Sequence, residues 1–362
     1  MKILALSKND LRYPVHGSAR IHLNLVGSIS SLTQTLYLNI GSIKCDAVKI
    51  YVSDYSNFSS QFLQVSIPDN MEIIRRLPSI ISFTPDVILC LSREKYYIYC
   101  SILARIFKVP LILFNDAMRY LYINEIMRLG NFKFRLREAF KGVVAIPYYF
   151  ILTSSSDLSL TVSDDIIKKM NLLRNKMIIV RPPYLLLKDK SSIDHRIIPE
   201  NLILYSGDLN TLAKFVNEFR DLNFVVTGPL AYYARNVFHR RDNLLLLPNI
   251  SDADLVKLHE KIKLAIVLRN VMTGISMTIL QELFFGRPVI ANLIAVRGFE
   301  DFIGKGVYIA KNIEELKSLV INIYRNEDQY THITNLIKDS YTHKLSPSRF
   351  SFKLVKYLEQ VI

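Results

Sequence analysis

Short apolar runs alternate with helix-length stretches from one end of this chain to the other, and that alternation restricts the fold more than any other feature. In the first half the runs Lys2 to Leu6, Ala47 to Val52, Asp86 to Leu91, Leu111 to Phe114 and Leu158 to Val162 read as strands, with helical stretches such as Ala19 to Leu32 and Tyr97 to Phe107 between them. The pattern restarts with Leu202 to Tyr205, Phe224 to Thr227, Leu244 to Leu247, Leu264 to Leu268, Val289 to Ala291 and Val307 to Ile309. Strands that are apolar throughout suit a sheet covered on both faces, so the class is α/β with parallel, doubly wound sheets. Tyr184 to Glu200 is charged, irregular and flanked by proline, as a linker is. The expected division is therefore 1–185, 186–344 and a terminal helix, 345–362, with Phe352, Val355, Leu358 and Ile362 spaced for one helix face. At 362 residues, two cores are more natural than one.

Composition removes several function classes. The net charge of +14 favours an anionic partner: nucleic acid, acidic lipid or a phosphorylated substrate. No recognised nucleic-acid module accompanies that charge, so nucleic acid is the least attractive of the three. Cys45, Cys90 and Cys100 lack metal-ligand spacing and have apolar neighbours, which reads as reduced core cysteine. The seven histidines show no metal-binding spacing either. Asp164 and Asp165 open a helix, where carboxylates complement the dipole, and are better read so than as metal ligands. No apolar run reaches the roughly 18 residues that span a bilayer. The start of the chain reads as a first strand and not as a signal peptide, so a cytoplasmic location is expected, with peripheral attachment to the inner membrane face as an option.

The segment from Leu264 to Asn292 carries the most chemistry. It reads as a buried strand, a turn holding Thr273 and Gly274, a helix from Ser276 to Phe285, a stop at Gly286 and a second strand, Pro288 to Asn292. A helix whose free amides face the carboxyl ends of parallel strands is an anion site.

This segment resembles the signature of the nucleotide-sugar glycosyltransferases of GT-B fold, above all the retaining glycosyltransferase family 4. Gly286-Arg287-Pro288-Val289-Ile290-Ala291 aligns with that family's glycine and Pro-Val-Ile-Ala, which puts Thr273 and Gln281 where the family carries two glutamates. Glu282 falls one place too late. His16-Gly17-Ser18-Ala19-Arg20 is similar to the family's glycine turn after its first strand, where backbone can approach phosphate. Leu204 to Asp208, Val225 to Pro229 and Pro248 to Leu255 follow the family's C-terminal domain in order, with Asp208 at the usual arginine and Lys214 one place out of register. The resemblance implies two Rossmann-like domains facing a cleft. The N-terminal one would bind the acceptor, the C-terminal one the nucleotide sugar, and the last helix would cross back to the N-terminal domain. It also implies a co-substrate instead of a cofactor, and no metal.

On that basis the donor-binding residues are Gly17, Ser18, Gly207, Lys214, Arg269, Thr273, Gly274, Ile275, Ser276 and Gln281. Arg269 could grip phosphate oxygens through its forked guanidinium or pair with a nearby acid. Gln281 could bond ribose hydroxyls or serve helix packing. Asp116, after the Leu111 to Phe114 strand, is the candidate catalytic base of an inverting transfer or the cap of the next helix. Retaining transfer stays open. From Met127 to Gly142, Arg128, Lys133, Arg135, Arg137 and Lys141 alternate with Phe132, Phe134, Leu136 and Phe140. Such a stretch suits an anionic membrane and a lipid-linked acceptor, or else a solvated helix face or a buried aromatic stripe. The rival to an enzyme is a catalytically silent protein of the same fold that binds a glycan, a nucleotide or a protein partner.

Overall fold

A computed structural model describes residues 1–12, 17–40, 46–53, 58–67, 81–91, 96–115, 119–128, 131–187, 198–238, 241–248, 250–271 and 274–362. The chain forms two compact units. The first holds Met1–Leu185 and Leu345–Ile362, with Gly274 and Ile275, and the second holds most of what lies between.

In the first unit the strands are β1 (Lys2–Ser7), β2 (Gln34–Ile40), β3 (Asp46–Ser53), β4 (Ser59–Ile67), β5 (Val87–Cys90), β6 (Leu111–Asn115), β7 (Leu158–Thr161) and β8 (Met177–Ile179). They lie in the order β8-β7-β6-β5-β1-β2-β4-β3. All neighbours run parallel except β3, which pairs antiparallel with β4. The sequence pattern marks only the Ala47 to Val52 run in this region. Gln34–Ile40 and Ser59–Ile67 are strands too, and their interspersed polar residues hide them. Gln64 explains one such residue: it is buried, and its side-chain oxygen accepts from the Leu11 amide.

The helices of this unit are α1 (Gly17–Ile29), α2 (Tyr96–Phe107), α3 (Ile123–Ile126), α4 (Phe132–Ser155), α5 (Asp164–Lys169) and, at the end of the chain, α12 (Pro347–Glu359). A core of Leu4, Leu6, Ile88, Leu113, Cys100 and Leu103 joins the sheet to α2. Cys90 and Cys100 are buried free thiols. At the α5 start, the Ser163 hydroxyl accepts from the Asp165 amide, and Asp164 pairs with Lys168 at 2.7 Å, one turn on.

The last helix packs on α1 through a face rotated from the one its hydrophobic spacing suggests. Leu358 belongs to both faces and Val355 is half-buried, but Phe352 and Ile362 are exposed, and the buried positions are Pro347, Ser351, Leu354 and Leu358. Ser351 Oγ donates to the Ser28 carbonyl at 2.6 Å. A small side chain is what lets two helix backbones approach this closely, and a scale of hydrophobicity scores it as surface.

The second unit contains β9 (Leu186–Leu187), β10 (Leu202–Ser206), β11 (Phe224–Thr227), β12 (Leu244–Leu247), β13 (Ile262–Val267), β14 (Val289–Ala291) and β15 (Val307–Ile309). Its helices are α6 (Leu209–Glu218), α7 (Pro229–Val237), α8 (Asp252–Lys261), α9 (Met277–Phe284), α10 (Ile313–Arg325) and α11 (Glu327–Leu345). The sheet is parallel throughout, in the order β12-β11-β10-β13-β14-β15. Counted within this six-stranded sheet, that order is three-two-one-four-five-six, so the winding reverses between β10 and β13. Strand ends diverge at such a reversal and leave a crevice where ligands settle.

Candidate functional site

At the reversal, β10 ends in Ser206 and Gly207, and β13 runs out into Leu268 and Arg269. The Arg269 guanidinium folds back over both strand ends. One terminal nitrogen donates to the Ser206 carbonyl at 2.6 Å and the Leu268 carbonyl at 2.9 Å, and the other to Ser206 Oγ at 2.8 Å. Asn292, just past β14, brackets the same backbone: its Oδ1 accepts from the Arg269 amide at 3.1 Å and its Nδ2 donates to the Arg269 carbonyl at 2.7 Å. Every side-chain partner of Arg269 is a neutral oxygen, and among the described residues no carboxylate pairs with it. Burial accordingly lowers its pKa, while the nearby Tyr205 pulls the other way. A partly buried cation with no counter-ion is costly to hold, and a bound anion removes that cost.

Gly207 is fixed by close packing. A Cβ there would lie 2.6 Å from Tyr205 Oη and 3.1 Å from Leu268 Cβ. Tyr205 Oη in turn donates to the Asp208 carbonyl at 2.8 Å, while the Asp208 carboxylate accepts from the Thr211 amide and caps α6. Asp208, at the position where an arginine is expected, thus serves as a helix cap. Lys214 is exposed on α6.

Helix α9 follows Arg269 in the sequence. Its N-cap is Ser276, whose buried hydroxyl accepts from the Ile279 amide at 3.4 Å. Gly274, Ile275 and Ser276 are all buried where this helix begins, and Thr273 lies outside the described residues. Gly286 leaves the helix with a positive φ of 71°, a conformation glycine reaches without steric cost.

The far end of α9 is tied to the interior. Gln281 Nε2 lies 2.9 Å from His259 Nε2 and donates to Glu282 Oε1 at 3.3 Å. The His259 ring, on α8, stacks on Phe285 with centroids 3.8 Å apart. Its Nδ1 lies 3.4 Å from Glu282 Oε2, and its carbonyl accepts from Arg287 at 2.7 Å. Glu282 is fully buried, and burial pushes its pKa up to about 8 despite the Gln281 bond and the Arg287 charge. Burial, with Arg287 adding to it, holds His259 well below the ordinary imidazole range. Of the two roles open to Gln281, the helix-packing one accounts for its side-chain nitrogen.

The comparisons with solved structures follow this architecture along its whole length. A structure of Anabaena HepE in complex with UDP and glucose superposes with a TM-score of 0.64 at 11% identity, covering 99% of both chains. The chain has the GT-B fold. WaaG, a glycosyltransferase involved in lipopolysaccharide biosynthesis, matches with a TM-score of 0.63 at 12% identity over 99% of each chain. The lipopolysaccharide outer core galactosyltransferase WaaB gives 0.53 at 12% identity, again over 99% of each. No protein-family model and no curated protein matches by sequence.

In the first unit of this GT-B chain, α1 opens at Gly17 and Ser18. Arg20 donates to the Leu185 carbonyl at 3.2 Å and lies over the Tyr184 ring. Asp116 lies outside the described residues. Its neighbour Asn115, the last residue of β6, is buried, with Nδ2 donating to Ser159 Oγ at 2.6 Å and Oδ1 without a partner among the described residues. The basic residues Lys133, Arg135, Arg137 and Lys141 are exposed along α4, and Arg128 is exposed just after α3. Among the described residues no cluster of metal-ligating side chains occurs. Reading the sequence alone misses Ser206, Asn292 and His259. The first two sit one residue beyond or at a strand end, a position that could have drawn attention to them.

Proposed function

We propose that this protein transfers a sugar from a nucleoside diphosphate donor to a glycan, lipid-linked or protein acceptor. One observation carries the reading: Arg269, without a counter-ion among the described residues, lies at the winding reversal of the second sheet, shortly before α9 in the sequence. In the transfer, negative charge builds on the departing diphosphate, and fixed donors aimed at it lower the barrier. Arg269 and the backbone amides of Gly274, Ile275 and Ser276 supply such donors, with Thr273 between them in sequence and Gly207 leaving room for close approach. Lys214 is a second source of positive charge. Gly17 and Ser18, at the α1 start in the first unit, are donor-binding candidates on the likeness of their glycine turn. Asp116, next in sequence to the end of β6, is the candidate base for the acceptor hydroxyl. The exposed basic residues from Arg128 to Lys141 favour an acceptor that is anionic or held at an anionic surface. No metal is required by this scheme.

UDP, GDP and ADP sugars test the donor site by their effect on thermal unfolding. A donor at about a hundred times its dissociation constant adds about 2.7 kcal/mol of stability, and the absence of any shift with all three overturns the proposal. A second, binding-only reading draws on Thr273 and Gln281 standing where acids are expected, and on the attachment of Gln281 to His259. Asp116→Asn separates the two. An enzyme using Asp116 as base loses most of its turnover and keeps its nucleotide affinity, whereas a binding protein has no turnover to lose.

A further inference from the structure

Helix α4 has two faces that ask for different surroundings. Glu138, Gly142, Tyr149, Leu152 and Thr153 are buried against the first unit. On the other side Phe132, Leu136, Phe140, Val143, Val144 and Ile151 are each between 61% and 77% exposed. At ~100° per residue these six side chains project into one arc of roughly 120°, opposite the buried face. The helix has 24 residues, a length of ~36 Å at 1.5 Å per residue. An apolar stripe of that length facing water marks a binding surface.

Charge identifies the occupant. Of the five charged residues on α4, four are basic and exposed (Lys133, Arg135, Arg137, Lys141), and the single acid, Glu138, is buried. On the same projection, Arg135 flanks one side of the arc, Arg137 and Lys141 flank the other, and Lys133 falls within it at the first turn of the helix. Glu138 holds Lys141 at 3.1 Å and Arg137 at 3.4 Å, steadying two of these flanks from within. At the far end of the helix Lys176 donates to the carbonyls of Ser154 and Ser156 at 2.7 and 3.1 Å, which places another cation there. A second copy of the chain docking through this stripe would set basic flank against basic flank. Among the described residues no helix is long and apolar enough to cross a membrane. An amphipathic helix with an apolar face and basic shoulders instead lies in the plane of an anionic bilayer, with its apolar side chains at the boundary between headgroups and acyl chains.

We propose that α4 docks the protein on an anionic lipid surface in this way. The side chains involved point to solvent, so they can be changed without disturbing the core. The test is cosedimentation of the full chain with vesicles of phosphatidylglycerol and phosphatidylcholine in equal parts, and with phosphatidylcholine alone. The wild-type protein should pellet with the anionic vesicles and bind neutral ones at least tenfold more weakly. Leu136→Glu with Phe140→Glu should lower anionic binding at least tenfold, and Lys133→Glu with Arg135→Glu should do the same. Wild-type protein left in the supernatant, or variants that bind as well as wild type, would overturn the proposal. So would a wild-type dimer that the Leu136 and Phe140 changes dissociate while lipid binding persists. Thermal stabilisation by a nucleotide sugar, measured on the same variants, should be unchanged. Failure of lipid docking is thereby distinguishable from failure of the donor site.

Discussion

The strand ends before helix α9 and the C-terminal end of that helix meet the problem of buried charge in opposite ways. At the strand ends Arg269 keeps its positive charge among neutral oxygens, with no carboxylate to answer it among the described residues. Toward the C-terminus of α9, Glu282 and His259 lie within 3.4 Å of each other, and burial drives both toward their neutral forms. An interior pair that is merely structural settles by losing charge. A cation kept at a strand-end crevice is suited to a ligand that brings the opposite charge. The contrast separates a scaffold from a site within one short stretch of chain.

Silenced charge should appear first as a pH effect on stability. Between about 4.5 and about 8 the folded protein holds a proton on Glu282 that the unfolded chain has released. The contribution of Glu282 therefore falls as pH rises across that window, and below about 6.5 that of His259 runs against it. Glu282→Gln removes this dependence and should make the protein more stable than wild type by on the order of 3 kcal/mol at pH 7, with little difference near pH 4.5. His259 acts on the acid side. Its folded pKa is depressed, so stability also falls as pH drops below about 6.5, where the unfolded chain takes up a proton that the folded one refuses. Urea midpoints of wild type and Glu282→Gln at several pH values check both slopes, and parallel profiles would remove the contrast.

Smaller effects sharpen the description of the other end. Gly207→Ala puts a Cβ 2.6 Å from Tyr205 Oη and should cost about 2 kcal/mol, read from the same denaturation curves. Ser276→Ala removes the α9 cap and should cost about 1 kcal/mol. If Ser276→Ala weakens nucleotide binding by more than its effect on stability explains, the helix start itself touches the ligand.

Much of this frame was legible in the sequence because it rests on strong local signals. The apolar runs before and after α9, and the glycine that leaves it, mark β13, α9 and β14 nearly residue by residue. What was not legible depends on contacts between distant residues. The contact of the Gln281 side-chain nitrogen with His259 joins residues 22 positions apart. The neutrality of Glu282 follows from complete burial, which a charged letter in a sequence does not disclose. The buried face of α12 turns on the hydroxyl of Ser351 meeting the Ser28 carbonyl. The strands Gln34–Ile40 and Ser59–Ile67 carry polar residues that only their buried partners explain.

The central claim, that Arg269 is held ready for a diphosphate, is tested most directly by calorimetric titration of UDP, GDP and ADP into wild type and Arg269→Ala. At least one nucleotide should bind the wild-type protein, and the substitution should weaken that binding by roughly ten- to a hundredfold, the range of charge-assisted hydrogen bonds. Equal affinity in the two proteins, both folded, would show that the guanidinium only ties two strand ends together.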